Sequence, residues 1–241
     1  MGGVTLEENG SPTSFVGYAE TGSALTQQQL DDIAAAIAVI EAIQNPTAED
    51  IVALHALQQA QAAGMQGIGA AVDLAGNPDP FVTGVISVLN FTGSTQTFTL
   101  NYLQPVAPVV VNGVGTGSVA IAIQDVFNSG TGTLASAGGA PIYNPEVDGG
   151  VFGAGQLLAG TTLNVTTAGE TVSTNASFGP TAVGAVNTSL GIEIEFSLTN
   201  LDLATGTSIF EVVEIPEPST IVLLGLGALV MAIPRCVRRR K

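Results

Sequence analysis

Hydrophobic and polar positions follow two different periods along this chain. Leu30, Ile33, Ile37 and Ile40 recur at spacings of three and four, the stripe of an amphipathic helix. Val39 and Ile43 are expected to broaden that stripe. Thr26, with Gln29 three residues on, is a capping box that starts the helix, and Asn45-Pro46 ends it. Thr47 then caps a second helix, with Glu49 and Asp50 in its first turn and Ile51, Leu54 and Leu57 as its expected apolar face. Gly64 closes it. The connection is very short, so residues 26–63 read as an αα-hairpin.

Outside this hairpin the period is two. Residues 12–20 (Pro12 to Glu20) make a first strand, with Phe15, Val16 and Tyr18 as its apolar residues. From Phe81 onward Val82, Val85, Ile86, Val88 and Leu89 form an apolar run that ends in the turn Asn90-Phe91-Thr92-Gly93. Thr95 to Leu100 alternates, as do Val119-Ile121-Ile123, Ile192-Ile194-Phe196-Leu198 and Phe210-Val212 with their polar neighbours. Weaker strands are expected at 151–158, 161–167 and 171–178. Alternation places one face in the core and one in water, which is antiparallel geometry. Turns such as Asp148-Gly149-Gly150 and Thr205-Gly206 separate the runs. The expected fold is mainly β: an antiparallel β-sandwich, jelly-roll among the options, with an inserted αα-hairpin. The chain divides into residues 1–25 (N-terminal segment and first strand), 26–66 (hairpin), 67–214 (sandwich) and 215–241 (tail).

Charge sharpens the last boundary. All five basic residues of the 241-residue chain, Arg235, Arg238, Arg239, Arg240 and Lys241, follow Pro234, while the 20 acids precede it. A body this acidic repels nucleic acid and offers no Arg or Lys to catalysis. The single cysteine, Cys236, lies in the basic tail, so the body has no disulfide and no cysteine-based site.

The tail has three parts in order: Pro216-Glu217-Pro218, an uncharged apolar run from Ile221 to Ile233, and the basic end. The prolines stop a preceding strand and keep the motif extended. From Ser219 to Pro234 a helix is roughly 24 Å long at ~1.5 Å per residue, slightly short of a ~30 Å hydrocarbon core. Snorkelling Arg side chains and local thinning accommodate that. The basic end stays cytoplasmic and the acidic body lies outside. The expectation is a C-terminal transmembrane helix in contact with membrane lipid.

This order resembles the PEP-CTERM family of sorting tails, a module also labelled an ice-binding protein C-terminal domain. The resemblance rests on Pro216, Glu217 and Pro218, with Arg235, Arg238, Arg239 and Arg240 as the basic membrane stop. Pro234, Cys236 and Val237 depart from the pattern without removing it. The resemblance implies recognition by an exosortase-type membrane protease, cleavage near the motif, and delivery from a membrane-anchored precursor to the cell surface or an extracellular matrix, with extracellular polysaccharide as a partner. Residues 1–8 show no basic n-region and no apolar h-region, so a signal peptide is expected upstream of the recorded start.

Tests for chemistry give little. His55 is the only base for a nucleophilic triad, and no Gly-x-Ser-x-Gly is present. Zinc lacks ligands. Gly113-Val114-Gly115-Thr116-Gly117 has no Lys, and is expected to be a flexible loop rather than a phosphate cradle. Asp125, Glu146 and Asp148 are candidates for paired carboxylates, with no spacing that selects a pair. Asp73, Asn77 and Asp79 sit in an expected loop and are the candidate calcium ligands, with an ion-free Asx turn as the alternative. Thr95, Thr97 and Thr99 lie at period two on one strand face, a short ladder of the kind that orders water. The expected role is structural, without catalysis or cofactor beyond that calcium candidate. A non-catalytic module binding carbohydrate, calcium or ice is the alternative; the absence of Trp and the presence of only three Tyr weaken its carbohydrate form.

Overall fold

A computed structural model describes residues 3–9, 13–77 and 80–215. Two strands, β1 (Gly3–Asn9) and β2 (Thr13–Ala24), precede the helices α1 (Gln27–Glu41) and α2 (Ala48–Ala63). Then come β3 (Met65–Asn77), β4 (Phe81–Asn90), β5 (Gln96–Pro105), β6 (Val110–Gln124), β7 (Gly132–Ala135), β8 (Tyr143–Val147) and β9 (Gly150–Val151). The last four are β10 (Thr162–Val165), β11 (Thr171–Val186), β12 (Ser189–Leu198) and β13 (Asp202–Glu214).

The strands form two sheets. One has the order β1-β5-β12-β7-β10, with β8 paired to β12 and β9 to β8; the other is β11-β6-β13-β4-β3-β2. Pairing is antiparallel except for β1, which runs parallel to β5. That exception departs from the all-antiparallel expectation: edge pairing needs only β1's backbone, and its sequence GVTLEEN carries no strict alternation. Both sheets send side chains into one apolar cluster, including Ile86, Ile121 and Phe210 from one and Phe98, Ile192 and Phe196 from the other. The buried Tyr143 hydroxyl on β8 donates to the Ile209 carbonyl on β13 at 2.8 Å, tying the two sheets together. Burial pushes the Tyr143 hydroxyl pKa upward.

Both helices begin at capping boxes. Gln29 N–H donates to Thr26 Oγ1, while Thr26 N–H donates to Gln29 Oε1 at 2.9 Å. Thr47 pairs with Asp50 in the same way, at 2.8 Å for the return bond. Gly64 caps α2 with φ 63°, a left-handed conformation that glycine takes freely. Leu25 N–H donates to the Gly64 carbonyl and closes the neck of the insertion. Helix α2 packs on β3, β4 and β2, and α1 packs on α2.

Helix faces differ in part from the sequence pattern. Ile33, Ile37 and Leu57 are buried, but Val39, Ile43 and Ile51 are exposed. The buried face of α2 is Val52, Ala53, Ala56, Leu57 and Ala60, because small residues let the helix lie close to the sheet. The segment Gly113–Gly117 is not a loop but the middle of β6. Its glycines face the core: a Cβ on Gly117 would stand 2.4 Å from the Phe178 ring, and one on Gly115 would stand 3.1 Å from Phe210. Their missing side chains make room for the aromatic cluster of Phe152, Phe178 and Phe210, with ring centroids 6.0–6.2 Å apart. The expected strand at 151–158 shrinks to β9, a short 3-10 turn at Gly153–Gly155 and a bridge from Leu157 to Tyr143.

Among the described residues no helix is long and apolar enough to cross a membrane. The apolar run 221–233 lies outside those residues.

Candidate functional site: the tail exit and the carboxylates

The tail leaves from a strand held on both sides. β13 pairs with β4 from Asp202 to Glu211 and with β6 from Leu203 to Glu214. β4 has run out beyond Glu211, and the Val212 N–H instead donates to the Pro80 carbonyl at 2.9 Å. The Ile215 N–H donates to the Asn112 carbonyl at 2.8 Å. Pro216, Glu217, Pro218, Arg235, Arg238, Arg239 and Arg240 lie outside the described residues. β13 ends at Glu214, and Pro216, two residues on, carries no backbone N–H.

Beside the exit is an open cleft of about 280 Å³, lined by Pro80, Pro108, Val109 and Val110 and by Glu211 to Glu214. Val109 and Val213 of this lining, and their near neighbours in sequence Val111 and Ile215, are each more than half exposed. The sequence pattern did not single out Val109 and Val111, since two valines around a buried Val110 read as an ordinary apolar run.

The carboxylates do not converge. Asp125 is buried at the other end of the body, where its carboxylate accepts from Ser129 N–H at 2.9 Å and Gly130 N–H at 2.6 Å. Its electrostatic partner is Asp202, which is fully buried and accepts from the Thr199 hydroxyl. Burial is the main cause that pushes Asp202 up to about 7, and the charge of Asp125 adds to it. Asp202 Oδ1 has no hydrogen-bond partner among the described residues. Gly132 is obligatory beside it, since a Cβ there would stand 2.3 Å from that oxygen. Sequence reasoning missed Asp202; a lone acid at a strand start carries no signal of burial.

Glu146 is buried on β8 and raised by burial and then by Glu193 on the neighbouring strand. Glu193 accepts from Asn144 Nδ2 at 3.0 Å, and Asn144 accepts from Gln156 Nε2 at 2.7 Å. Asp148 is exposed. Desolvation is the largest single influence and raises it, but donors from Thr188, Asn187 and Ser189 together outweigh that and hold the carboxyl at about 2. It joins the β8–β9 turn to the start of β12, with Thr188 N–H at 2.7 Å and Asn187 N–H at 2.9 Å.

The calcium expectation requires a correction. Asp73 and Asn77 lie within β3, not in a loop, and Asp79 lies outside the described residues. Two residues four apart on a strand are separated by about 13 Å, too far for one ion whose oxygens sit at about 2.3–2.6 Å. Among the described residues no three His, Cys, Asp or Glu form a group that could hold a metal ion. His55 is exposed on α2. Thr97 and Thr99 share the outer face of β5, but their partners are Ser197 and Glu195 on β12 and Gly3 and Thr5 on β1, so no regular Thr ladder crosses the sheet.

A different face is regular. Register across β11, β6, β13 and β4 aligns Ser173-Ala122-Thr205-Ser87, Asn175-Ala120-Thr207-Val85 and Ser177-Ser118-Ile209-Thr83. These rows lie on the side of the sheet away from the main core, open on β11, β6 and β13 but closed on β4 at Ser87, which is fully buried; residues are about 4.8 Å apart across strands and about 6.8 Å along them. A shallow trough of about 470 Å³ runs over the lower rows. A second, of about 450 Å³, lies where Ile40, Glu49 and Asp50 overhang Ala122 and Thr205.

Comparison with known proteins supports the tail alone. No curated protein matches the chain. Similar solved structures include a cryo-EM structure of Broad Bean Stain Virus, at 13% identity and TM-score 0.21, covering 45% of this chain and 65% of that one. Another is the enzymatically active domain of Bacteriophage CBA120 tailspike protein 4, at 7% identity and TM-score 0.20, covering 60% of this chain and 16% of that one. Overlaps this loose carry no argument about the body. Residues 214–241, beginning at the last residue of β13, match the PEP-CTERM protein-sorting motif, and the chain is therefore an exported protein with a C-terminal sorting signal.

Proposed function

We propose that this is a surface- or matrix-associated structural protein whose two sheets form a β-sandwich of jelly-roll kind, delivered by its tail and without catalysis of its own. The observation that carries the reading is the position of the motif, which starts where β13 ends. A cut near Pro216-Glu217-Pro218 leaves every described strand and every described core side chain in place. The mature body therefore keeps the packing it had in the membrane-anchored precursor. Exosortase is the processing partner that the motif implies. Alanine replacement of Pro216, Glu217 and Pro218 together, in a host with a matching exosortase and behind a secretion leader, tests this. The variant is expected to accumulate uncut at the membrane; normal processing of the variant contradicts the reading.

A second reading, a non-catalytic binding module, is favoured by the regular outer face of β11-β6-β13-β4. Hydroxyl and amide groups from Ser173, Asn175, Ser177, Thr205 and Thr207 repeat there on a flat surface of small side chains. Such a surface suits an extended polysaccharide better than a compact ligand, since a long flat chain meets each row in turn. Co-sedimentation of the protein with purified matrix polysaccharide, compared with a Thr207→Lys variant, separates the readings. Loss of binding in the variant supports the module; binding by neither supports the structural role.

A further inference from the structure

We propose that the tail-exit end of the body rests on the bilayer surface in the anchored precursor, with Val109, Val111, Val213 and Ile215 in contact with lipid. The inference rests on the membrane-anchored reading of the tail. Val109, Val111, Val213 and Ile215 are 52%, 53%, 56% and 52% exposed. The pairing of Val213 with Val114 and the Ile215–Asn112 hydrogen bond set the end of β13 beside the start of β6, so the four exposed side chains lie at the same end of the sheet. Five residues separate Ile215 from Ile221, the first residue of the apolar run. Even fully extended they span only about 20 Å. The apolar run is itself shorter than a bilayer core, which draws the segment before it toward the headgroups. The patch is thus tethered at the one place where a lipid surface is within reach, and burying apolar side chains in the interface is favourable.

The charges nearby decide what kind of lipid contact this is. Glu211 and Glu214 border the patch and are exposed, and no Lys or Arg precedes Arg235. Anionic headgroups are repelled, so the contact is apolar and made to a neutral surface. It is weakened by anionic lipid and little affected by salt. Seating this end also fixes the height of Pro216-Glu217-Pro218 above the membrane, where a membrane-embedded protease must meet it.

The test uses the full chain with Cys236→Ser, reconstituted in phosphatidylcholine vesicles that carry a doxyl-labelled lipid. Single cysteines with a bimane label are placed at Val111→Cys and Val213→Cys. Val39→Cys serves as the distant control, since Val39 is 68% exposed on α1, and Leu224→Cys reports on the tail. All three body positions are exposed, so the substitutions leave the core intact. Labels at 111 and 213 are expected to be quenched by the doxyl lipid at least about threefold more than the label at 39. Equal quenching at 111, 213 and 39, with strong quenching at 224, overturns the proposal and leaves the anchored tail standing. Protection of 111 and 213 from aqueous iodide without lipid quenching also overturns it, since protein then covers the patch. Absence of quenching at 224 overturns the tail reading, and this proposal with it.

Discussion

The two ends of the body are built on opposite terms. At the far end the chain closes over itself: α2 lies on the sheet, and Ile33, Leu57, Phe91, Phe127 and Leu203 pack in one cluster beneath the hairpin. Polar groups there are buried, including Asn90, Asp125 and Asp202. At the tail-exit end apolar side chains of the described residues stay open. Val109, Val111, Val213 and Ile215 face water around an open cleft, and Asp148 is exposed. The open end is the one from which the tail continues, and the lipid contact proposed above would complete it.

Substitutions at the two ends should separate this contrast. The largest effect is expected at the closed end. Leu57→Ala removes a fully buried side chain from the hairpin cluster and should cost about 2–5 kcal/mol, read as a fall in urea midpoint. An effect below about 1 kcal/mol would mean that the hairpin is only loosely seated.

The two aspartates should titrate with opposite slopes. Asp202 is held near 7 in the folded state, above its unfolded value of about 3.9. Between these values the folded state binds more protons, so stability falls as pH rises from about 4 to about 7. Asp202→Asn should remove that slope and gain roughly 2–4 kcal/mol at pH 8; an unchanged slope between pH 4 and 7 contradicts the assignment. Asp148 is held at about 2 by its donors, below its unfolded value. Its contribution is complete above about 4 and is lost as pH falls toward 2. Because Asp148 is exposed, solvent screening limits the cost of Asp148→Ala to about 1 kcal/mol or less at neutral pH, with the difference from wild type vanishing below about pH 2.

The smallest effect belongs to the open end. Val111→Ser is expected to move stability by less than about 0.5 kcal/mol, because more than half of Val111 is already in water. A large loss would place Val111 in the core and remove the contrast between the ends.

The same contrast separates what the sequence discloses from what it hides. The helices are legible because capping boxes at Thr26 and Thr47 are local chemistry. The strands β5, β12 and β13 are legible because most of each strand alternates buried and wetter positions, and β4 because its second half is buried at every position and reads as an apolar run. β3 is not, and the reason is α2. A Cβ on Gly69 would stand 3.1 Å from the Ala56 carbonyl, so the strand beneath the helix must be built from Gly and Ala, which carry little strand signal. Expecting a calcium loop around Asp73 was the result. In the same way the glycines of β6 look like a loop until Phe178 and Phe210 are seen filling the space above them. The tail is legible because its signal lies in the order of its parts, whereas Asp202 and the Val109–Val111 patch depend on partners distant in sequence.

The central claim is that the chain is a folded body followed by a removable anchor. The direct test is the intact mass of the protein recovered from the surface of a host that carries a matching exosortase, after expression behind a secretion leader. The account predicts a chain that ends within a few residues of Pro216-Glu217-Pro218, with the circular dichroism spectrum of a β-rich body. Recovery of the chain with residues 219–241 still attached would contradict it.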